Sequence, residues 1–195
     1  MGLTAKGSRT RERIIDGAAA YLRGADPGGV TLDDIRGVTR TSKSQIFHYF
    51  PGGKDELFLE VARYEAGRVI DDQQPHLSAL DSWAAWGRWR NAVIERYRAQ
   101  GQQCPLGVLM SQLSDVPGAG EVVSTLVRRW QDEVERGIRA MQSSGQIRAG
   151  LDPRRSAAAM IAAIQGGVVV LRSTGELGHL EAALDVMIEH LRGGP

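Results

Sequence analysis

Apolar residues recur at helical spacing along most of this chain, and no stretch shows the alternating β-branched pattern of a strand. Pro and Gly residues interrupt the apolar segments, as at Pro75 and at Pro117-Gly118. The spacing and the capping residues together predict nine helices. They cover about residues 9–23, 31–38, 42–48, 54–73, 81–99, 105–116, 120–143, 152–172 and 176–191. The predicted fold is therefore all-α.

Composition narrows the class of protein further. The chain of 195 residues has one cysteine, 42% hydrophobic residues and a formal net charge of +1. These values exclude a disulfide scaffold and a disordered chain, and they favour a cytoplasmic location. The uncharged, apolar run of residues 156–171 is shorter than the roughly 20 apolar residues of a membrane-spanning helix. The first residues lack the apolar core of a signal peptide, so no membrane partner is expected.

Charge is distributed unevenly along the chain. Residues 1–54 carry nine basic and five acidic side chains, whereas the remaining residues carry 15 basic and 18 acidic ones. A basic N-terminal quarter on a mildly acidic body is typical of nucleic-acid binding. The alternative interpretation is a solvated surface with a chance asymmetry of charge.

Residues 31–50, TLDDIRGVTRTSKSQIFHYF, combine two short helices around a tight turn. Thr31 is a suitable N-cap for the first helix, and two aspartates follow in its first turn. Around Ile46, the second helix displays side chains that form hydrogen bonds: Ser42, Lys43, Ser44, Gln45, His48 and Tyr49. Such a helix suits the major groove of DNA, because Gln can bind adenine, Lys can reach guanine, and hydroxyl groups can hold phosphates. An ordinary helical hairpin with a polar turn is the alternative.

The same segment resembles the DNA-binding region of the TetR family of bacterial repressors. The resemblance rests on residues 42–50, SKSQIFHYF, on residues 54–58, KDELF, and on the spacing from Thr31 to Leu57. The FPGGK sequence of residues 50–54 and the CPLG sequence of residues 104–107 are similar to those of LmrA/YxaF-type regulators.

Two positions depart from the usual family sequence. The turn is Thr39-Arg40-Thr41, where the family has Ala-Gly-Val. Either Arg40 adopts a conformation that favours glycine, or the turn has a different geometry. Position 47 is Phe47 in place of the usual Tyr, and it has no hydroxyl group for a phosphate. Its alternative roles are contact with a thymine methyl group and packing.

The resemblance implies a three-helix helix-turn-helix domain over residues 1–54 and a helical ligand-binding and dimerisation domain over residues 55–195. It also implies a repressor that binds a palindromic double-stranded DNA operator as a homodimer and is released by a small molecule. The DNA contacts that it implies are Thr31, Thr41, Ser42, Lys43, Ser44, Gln45, Phe47, His48, Tyr49 and Lys54. Arg9 and Arg11 are expected in an N-terminal arm that contacts DNA or is simply solvated.

Aromatic residues concentrate on one predicted helix of the body. Trp83, Trp86, Trp89 and Tyr97 lie there, and aromatic walls suit flat apolar ligands. With Met110 and Trp130 they form the predicted effector site, which favours a small apolar or aromatic compound. Ordinary packing between helices is the alternative.

The last two predicted helices are the expected dimer interface. Small residues on the first of them allow helices to approach closely, and apolar residues on both supply area. The predicted interface comprises Ala162, Gly166, Val169, Val170, Leu180, Leu184, Met187, Ile188 and Leu191. Burial inside one protomer is the alternative. A two-fold dimer would place two recognition helices about 34–36 Å apart, in successive major grooves.

The sequence contains no catalytic or metal-binding motif of a known type. G-x-S-x-G, P-loop and H-E-x-x-H sequences are absent, and the four histidines are scattered. An enzyme is therefore not expected, and no cofactor or metal ion is predicted. Three other classes remain: a DNA-binding regulator without small-molecule control, a thiol sensor acting through Cys104, and a structural helical protein.

Overall fold

The computed structural model describes residues 4–25, 29–101, 105, 107–108 and 113–193. Within these ranges it contains eight α-helices, one short 3-10 turn and no strand, which confirms the all-α prediction. The helices are α1 (Ala5–Gly24), α2 (Leu32–Thr39), α3 (Lys43–Tyr49), α4 (Lys54–Asp71), α5 (Trp83–Gln100), α6 (Ala119–Ser143), α7 (Pro153–Thr174) and α8 (Gly178–Arg192). The 3-10 turn is Leu77–Ala79. Residues 106 and 109–112 of the helix expected over residues 105–116 lie outside the described residues.

The first helix begins earlier than the sequence suggested. Thr4 is its N-cap, and the Thr4 hydroxyl accepts a hydrogen bond from the Gly7 N–H at 3.2 Å. The expectation of an arm that contains Arg9 and Arg11 is therefore wrong, because both residues lie on α1. The Arg11 guanidinium pairs with the Glu60 carboxylate of α4 at 2.7 Å.

The chain divides into two compact units, the first of which comprises Met1–Arg68 and Pro105–Val123. Apolar residues of α1 to α4 recur at helical spacing and form the core of this unit. Its almost completely buried members include Ile14, Ile15, Ala18, Leu22, Ile35, Ile46, Phe50, Leu57 and Val61. The division that the sequence predicts at residue 54 concerns function and stays a prediction.

Two further polar links connect α1 to α4. The Tyr64 hydroxyl donates a hydrogen bond to the Asp16 carboxylate at 2.7 Å. Burial and the Asp16 carboxylate raise the pKa of Tyr64, because both disfavour its ionised form. The second link is an ion pair between Arg23 and Glu65, whose side chains are 17% and 0% exposed. The ion pair holds the C-terminal end of α1 against α4.

The second unit comprises Val69–Cys104 and Ser124–Pro195. Its core is built from α5 to α8 and includes Trp86, Trp89, Val93, Trp130, Val134, Ile138, Ile161, Ile164, Leu180 and Leu184. Asp152 caps α7, as predicted, with Pro153 at the first helical position. A Cβ at Gly167 of α7 would lie 2.7 Å from the Leu180 Cα, so glycine allows α7 and α8 to pack closely.

One helix within the described residues, α7, is long and apolar enough to cross a membrane by length and composition. The core helix of a soluble protein passes the same test. Ile161, Ile164 and Val168 of α7 are buried in the second unit, so one side of this helix belongs to the core.

Candidate DNA-binding surface

A reciprocal capping box between Thr31 and Asp34 begins α2. The Asp34 N–H donates to the Thr31 hydroxyl at 3.2 Å, and the Thr31 N–H donates to the Asp34 carboxylate at 2.8 Å. Hydrogen bonds from the Thr31 hydroxyl and backbone lower the pKa of Asp34, because they stabilise the carboxylate. The sequence assigned the Thr31 hydroxyl or N–H to a phosphate, but both groups are engaged within the capping box.

Buried threonines support the turn between α2 and α3. Arg40 has φ 49° and ψ 46°, so the left-handed alternative is the one observed. Thr39 is buried, and its carbonyl oxygen accepts a hydrogen bond from the Arg13 guanidinium. Thr41 is only 4% exposed and donates its hydroxyl to the same carbonyl at 3.2 Å. This burial corrects the expected DNA contact of Thr41, whose side chain instead stabilises the turn.

A second capping box begins α3. The Gln45 N–H donates to the Ser42 hydroxyl at 3.2 Å, and the Ser42 N–H donates to the Gln45 side-chain oxygen at 3.0 Å. The hydroxyl oxygens of Ser42 and Ser44 lie 3.1 Å apart. A two-point contact between Gln45 and adenine would need its amide oxygen, and hence the opening of the capping bond.

One side of α3 is buried and the rest is exposed. Ile46 and the following Phe50 are fully buried and anchor α3 in the core of the first unit. Tyr49 is half-buried, and its ring meets the His48 ring edge-on at 4.8 Å between centroids. Six predicted DNA contacts at the N-cap of α3 or on α3 itself have exposed side chains. We call them the α3 surface: Ser42, Lys43, Ser44, Gln45, Phe47 and His48.

A tight turn leads from α3 to α4. Gly53 has φ 71°, and its N–H donates to the Phe50 carbonyl at 2.9 Å. A Cβ at Gly53 would lie 3.4 Å from the Phe47 ring, an ordinary contact, so the positive φ is what favours glycine there. Lys54 begins α4 and is exposed, with its ammonium 5.1 Å from the centre of the Phe58 ring.

The family comparison matches the C-terminal part of the chain. Residues 81–187 match a family described as the tetracyclin repressor-like C-terminal domain, and this range is more than half of the chain. The chain belongs to the TetR family of transcriptional regulators. Members of the family carry a DNA-binding helix-turn-helix and are not enzymes, in agreement with the sequence.

Relatives and solved structures match over nearly the whole length of this TetR-family regulator. An uncharacterized HTH-type transcriptional regulator from Mycobacterium tuberculosis is 22% identical over 189 residues, with 88% of each chain covered. The crystal structure of a TetR transcriptional regulator from Chloroflexus aurantiacus is 22% identical, with a TM-score of 0.78 and 98% of each chain covered. A TetR-family regulator from Cytophaga hutchinsonii is 19% identical, with a TM-score of 0.82 and 98% of each chain covered. The likeness to these two structures shows the common fold.

Three of the predicted effector residues form a buried aromatic cluster in this TetR-family regulator. Trp86, Trp89 and Trp130 are fully buried, and the Trp86 and Trp89 rings meet edge-on at 5.6 Å. The side-chain oxygen of Gln73 accepts the indole N–H groups of Trp89 and Trp130 at 3.0 and 3.2 Å. The Gln73 NH₂ group donates to the Val69 carbonyl at 2.7 Å. Gln73 was missed by the sequence analysis, because its partners are distant in sequence.

Of the other predicted effector residues, Tyr97 and Trp83 lie within the described residues. Tyr97 is 7% exposed. Trp83 is half-buried, and the Arg192 guanidinium lies 4.9 Å from the centre of its ring. Met110 and Cys104 lie outside the described residues.

The predicted interface residues of α7 and α8 fall on two faces. Leu180, Leu184, Ile188 and Leu191 are buried within the protomer. Their assignment to a dimer interface is therefore corrected, since a side chain buried in its own core does not reach a second copy. Val169 is 59% exposed, Ala162 and Gly166 are also exposed, and Val170 and Met187 are half-buried. Val186, which the sequence analysis missed, is 61% exposed.

A groove of about 370 Å³ lies between α5 and α8 in the second unit. Its lining comprises Gly87, Arg90, Asn91, Asp185, Ile188, Glu189 and Arg192, and includes none of the predicted effector residues. Arg90 forms a two-point ion pair with Asp185 at 2.8 and 2.7 Å, which raises the pKa of Arg90. Among the described residues, no group of three or more His, Cys, Asp or Glu side chains is placed to hold a metal ion.

Proposed function

We propose that this TetR-family regulator is a repressor that binds a palindromic operator as a homodimer and is released by a small apolar or aromatic effector. The observation that carries the DNA-binding part is the α3 surface. It presents cationic, hydroxyl and imidazole groups on a short helix anchored by Ile46 and Phe50. Such a helix fits the major groove, which is wide enough for one helix and displays donors and acceptors of every base pair.

The proposed DNA-binding domain is residues 1–54, and residues 55–195 serve effector binding and dimerisation. Lys43 and His48 contact base edges or phosphates, and the Ser42 and Ser44 hydroxyls hold phosphates. Phe47 is 43% exposed, which supports contact with a thymine methyl group. Lys54 and Tyr49 are assigned to phosphates at the end of α3. The exposed Thr31 caps α2, and the buried Thr41 supports the turn into α3.

Replacing Lys43 by alanine tests the phosphate role of this exposed ammonium. Within the described residues the Lys43 side chain has no ion-pair partner, so its charge is available to DNA. Each phosphate contact that is lost lowers the salt dependence of log K by about 1. We expect Lys43→Ala to weaken operator binding and to reduce this slope by about 2 for a dimer, measured by fluorescence anisotropy at several salt concentrations.

The matched control removes an exposed cation from the second unit. Arg88→Ala, on α5, is expected to leave both affinity and slope unchanged. An unchanged slope for Lys43→Ala would contradict its phosphate contact. A loss of preference at one base pair, with an unchanged slope, would assign Lys43 to base readout instead.

The proposed dimer interface is the outer face of α7 and α8. Val169 of α7 and Val186 of α8 are both more than half exposed, and Ala162 and Gly166 leave room for a close helix. Exposed valines beside small residues on two neighbouring helices form an apolar surface that a two-fold copy can cover. Val170 and Met187 lie at its edge in this proposal. A second copy that covers this face would also explain why α7 is apolar, without placing the helix in a membrane.

A charge at the centre of this face is expected to separate the dimer. In Val169→Arg, two-fold symmetry brings two buried guanidinium groups together, which costs several kcal/mol. We expect the dimer Kd to rise at least about 100-fold and operator affinity to fall with it. Light scattering would then give a mass near 21.2 kDa instead of about twice that value. Ala140→Arg, on the exposed side of α6, is the control. A Val169→Arg variant that stays dimeric would contradict the interface.

The proposed effector site is the aromatic cluster of the second unit. Trp86 is fully buried, and within the described residues its indole N–H has no hydrogen-bond acceptor. A buried donor without an acceptor costs about 1–3 kcal/mol, so an aromatic effector that carries one oxygen acceptor would gain affinity here. A panel of flat aromatic compounds, screened by thermal shift and then by operator release, tests this part of the proposal.

Ligand control requires that the effector bind the DNA-free form more tightly than the DNA-bound form. We propose that α4 transmits this preference. It runs without interruption from Lys54, beside the α3 surface, to Asp71, and Gln73 follows it into the aromatic cluster. A DNA-binding regulator without small-molecule control is the second candidate. A compound that stabilises the protein and lowers operator affinity favours the first candidate over the second.

Two finer assignments complete the proposal. The FPGGK turn of residues 50–54, with its positive-φ Gly53, supports a place among LmrA/YxaF-type regulators. The second element of that resemblance, residues 104–107, includes Cys104 of the alternative thiol-sensor hypothesis. Operator binding with and without a mild oxidant, in wild type and Cys104→Ser, tests that alternative. A DNA-binding regulator of this kind is expected in the cytoplasm.

A further inference from the structure

The turn of the helix-turn-helix carries a strained, exposed arginine. Arg40 is the one non-glycine residue with positive φ in the described part of the chain. Left-handed backbone favours glycine, because a Cβ crowds the following carbonyl group. Strain of this kind persists where the surroundings impose it, and it is concentrated at functional sites. A glycine at position 40 would relieve the strain, so the arginine side chain needs a reason of its own.

The described part of the chain offers the Arg40 side chain no partner. Among the described residues it has no ion pair, hydrogen bond or aromatic contact, and it is exposed. Three other arginines of the first unit are engaged: Arg13 with the Thr39 carbonyl, Arg23 with Glu65, and Arg36 with Asp33. Neither the fold nor a neighbouring carboxylate accounts for the Arg40 guanidinium.

Arg40 lies close to α3, the helix that we propose enters the major groove of DNA. It directly precedes Thr41 and Ser42, which lead into α3, and it lies three residues before Lys43, the other unpaired cation of this segment. A helix that enters the major groove is flanked by the phosphate backbones of the duplex. A guanidinium group matches phosphate oxygens in geometry and charge, and it can donate two parallel hydrogen bonds.

We propose that Arg40 is a DNA phosphate contact, and that the chain tolerates a left-handed arginine in the turn for this reason. The inference rests on the proposed DNA-binding function and adds a residue to it. The contact anchors the turn against the backbone and carries no information about base sequence. Its contribution is therefore the same for the operator and for unrelated duplex DNA.

Arg40→Gly separates the two consequences of this proposal. Relief of backbone strain is expected to raise Tm by about 1–4 °C, so a folding failure does not obscure the result. Loss of the phosphate contact is expected to weaken DNA binding about tenfold for a dimer and to lower the salt slope by about 2. The weakening should be equal for the operator and for a scrambled duplex. Arg40→Lys keeps the charge and the strained backbone, and is expected to retain most of the affinity.

Each outcome decides the inference. An Arg40→Gly variant with wild-type affinity and slope would overturn it, and so would an Arg40→Lys variant as weak as Arg40→Gly. A loss confined to the operator, with an unchanged slope, would also overturn it, because it would indicate base readout. These outcomes all presuppose that the wild-type protein binds an operator. Wild-type protein without DNA binding would show that the proposed function itself has failed.

Discussion

Replacing Arg23 by alanine is expected to lower the free energy of unfolding by about 3–5 kcal/mol. The Arg23 guanidinium is the ion-pair partner of Glu65, whose side chain is completely buried. Removing the cation takes one charge partner away from a carboxylate that water does not reach. Breaking a buried ion pair in this way costs far more than the pair contributes against a well-packed apolar pair. Urea unfolding followed by circular dichroism measures the loss.

A surface ion pair of α4 is the matched control for this prediction. Arg63 pairs with Glu60, and its side chain is 56% exposed. Arg63→Ala is expected to cost less than about 1 kcal/mol, because water screens the exposed Arg63 and Glu60 keeps its pair with Arg11. The double variant Arg23→Met/Glu65→Leu should be close to wild type in stability, since it removes both charges and keeps the volume. An Arg23→Ala variant as stable as Arg63→Ala would contradict the role assigned to burial.

Replacing Gln73 by leucine is expected to destabilise the protein by about 2–5 kcal/mol. The Gln73 oxygen is the acceptor for two buried indole N–H groups, those of Trp89 and Trp130. Leucine has a similar volume but no acceptor, so both donors are left unsatisfied, at about 1–3 kcal/mol each. Denaturant unfolding measures the total, and the indole signals of a ¹⁵N-tryptophan spectrum report the two hydrogen bonds separately.

The indole signals of the ¹⁵N-tryptophan spectrum test the two hydrogen bonds of Gln73 directly. The Trp89 and Trp130 indole protons should move upfield when their hydrogen bonds are lost, whereas the half-buried Trp83 should be unaffected. Gln146→Leu, at an exposed glutamine, is expected to change stability by no more than about 0.5 kcal/mol. Unchanged Trp89 and Trp130 signals in Gln73→Leu would contradict the shared acceptor.

Much of the helix-turn-helix could be predicted from sequence because its determinants are local. Thr31 with Asp34 and Ser42 with Gln45 each lie three residues apart, and such pairs form capping boxes that begin helices. Because position 40 lacks the glycine of the family, the sequence allowed either a left-handed Arg40 or a different turn geometry. The backbone of the turn shows the left-handed Arg40. The capping hydrogen bonds join residues three positions apart, so the sequence itself indicates them.

The remainder depends on contacts between residues that are distant in sequence. α8 carries apolar residues on both sides, so sequence alone does not separate the buried Leu184 from the exposed Val186. Packing against α7 decides which side faces inward. The Gln73 acceptor joins residues 16 and 57 positions away, and no periodicity reports such a bond. Gln45 is a different case: it was assigned to a base, although its oxygen serves a local cap only three residues away.

Selection of random duplex DNA on the purified full chain tests the central claim most directly, followed by binding of the enriched duplex to wild type and to Lys43→Ala/His48→Ala. The proposed function predicts an enriched palindrome whose half-sites are centred about 10–10.5 bp, or a multiple of this, apart. It also predicts that the double variant binds this palindrome more weakly than wild type while keeping its fold. A chain that enriches no sequence, or a double variant that binds the palindrome as tightly as wild type, would contradict operator recognition by the α3 surface.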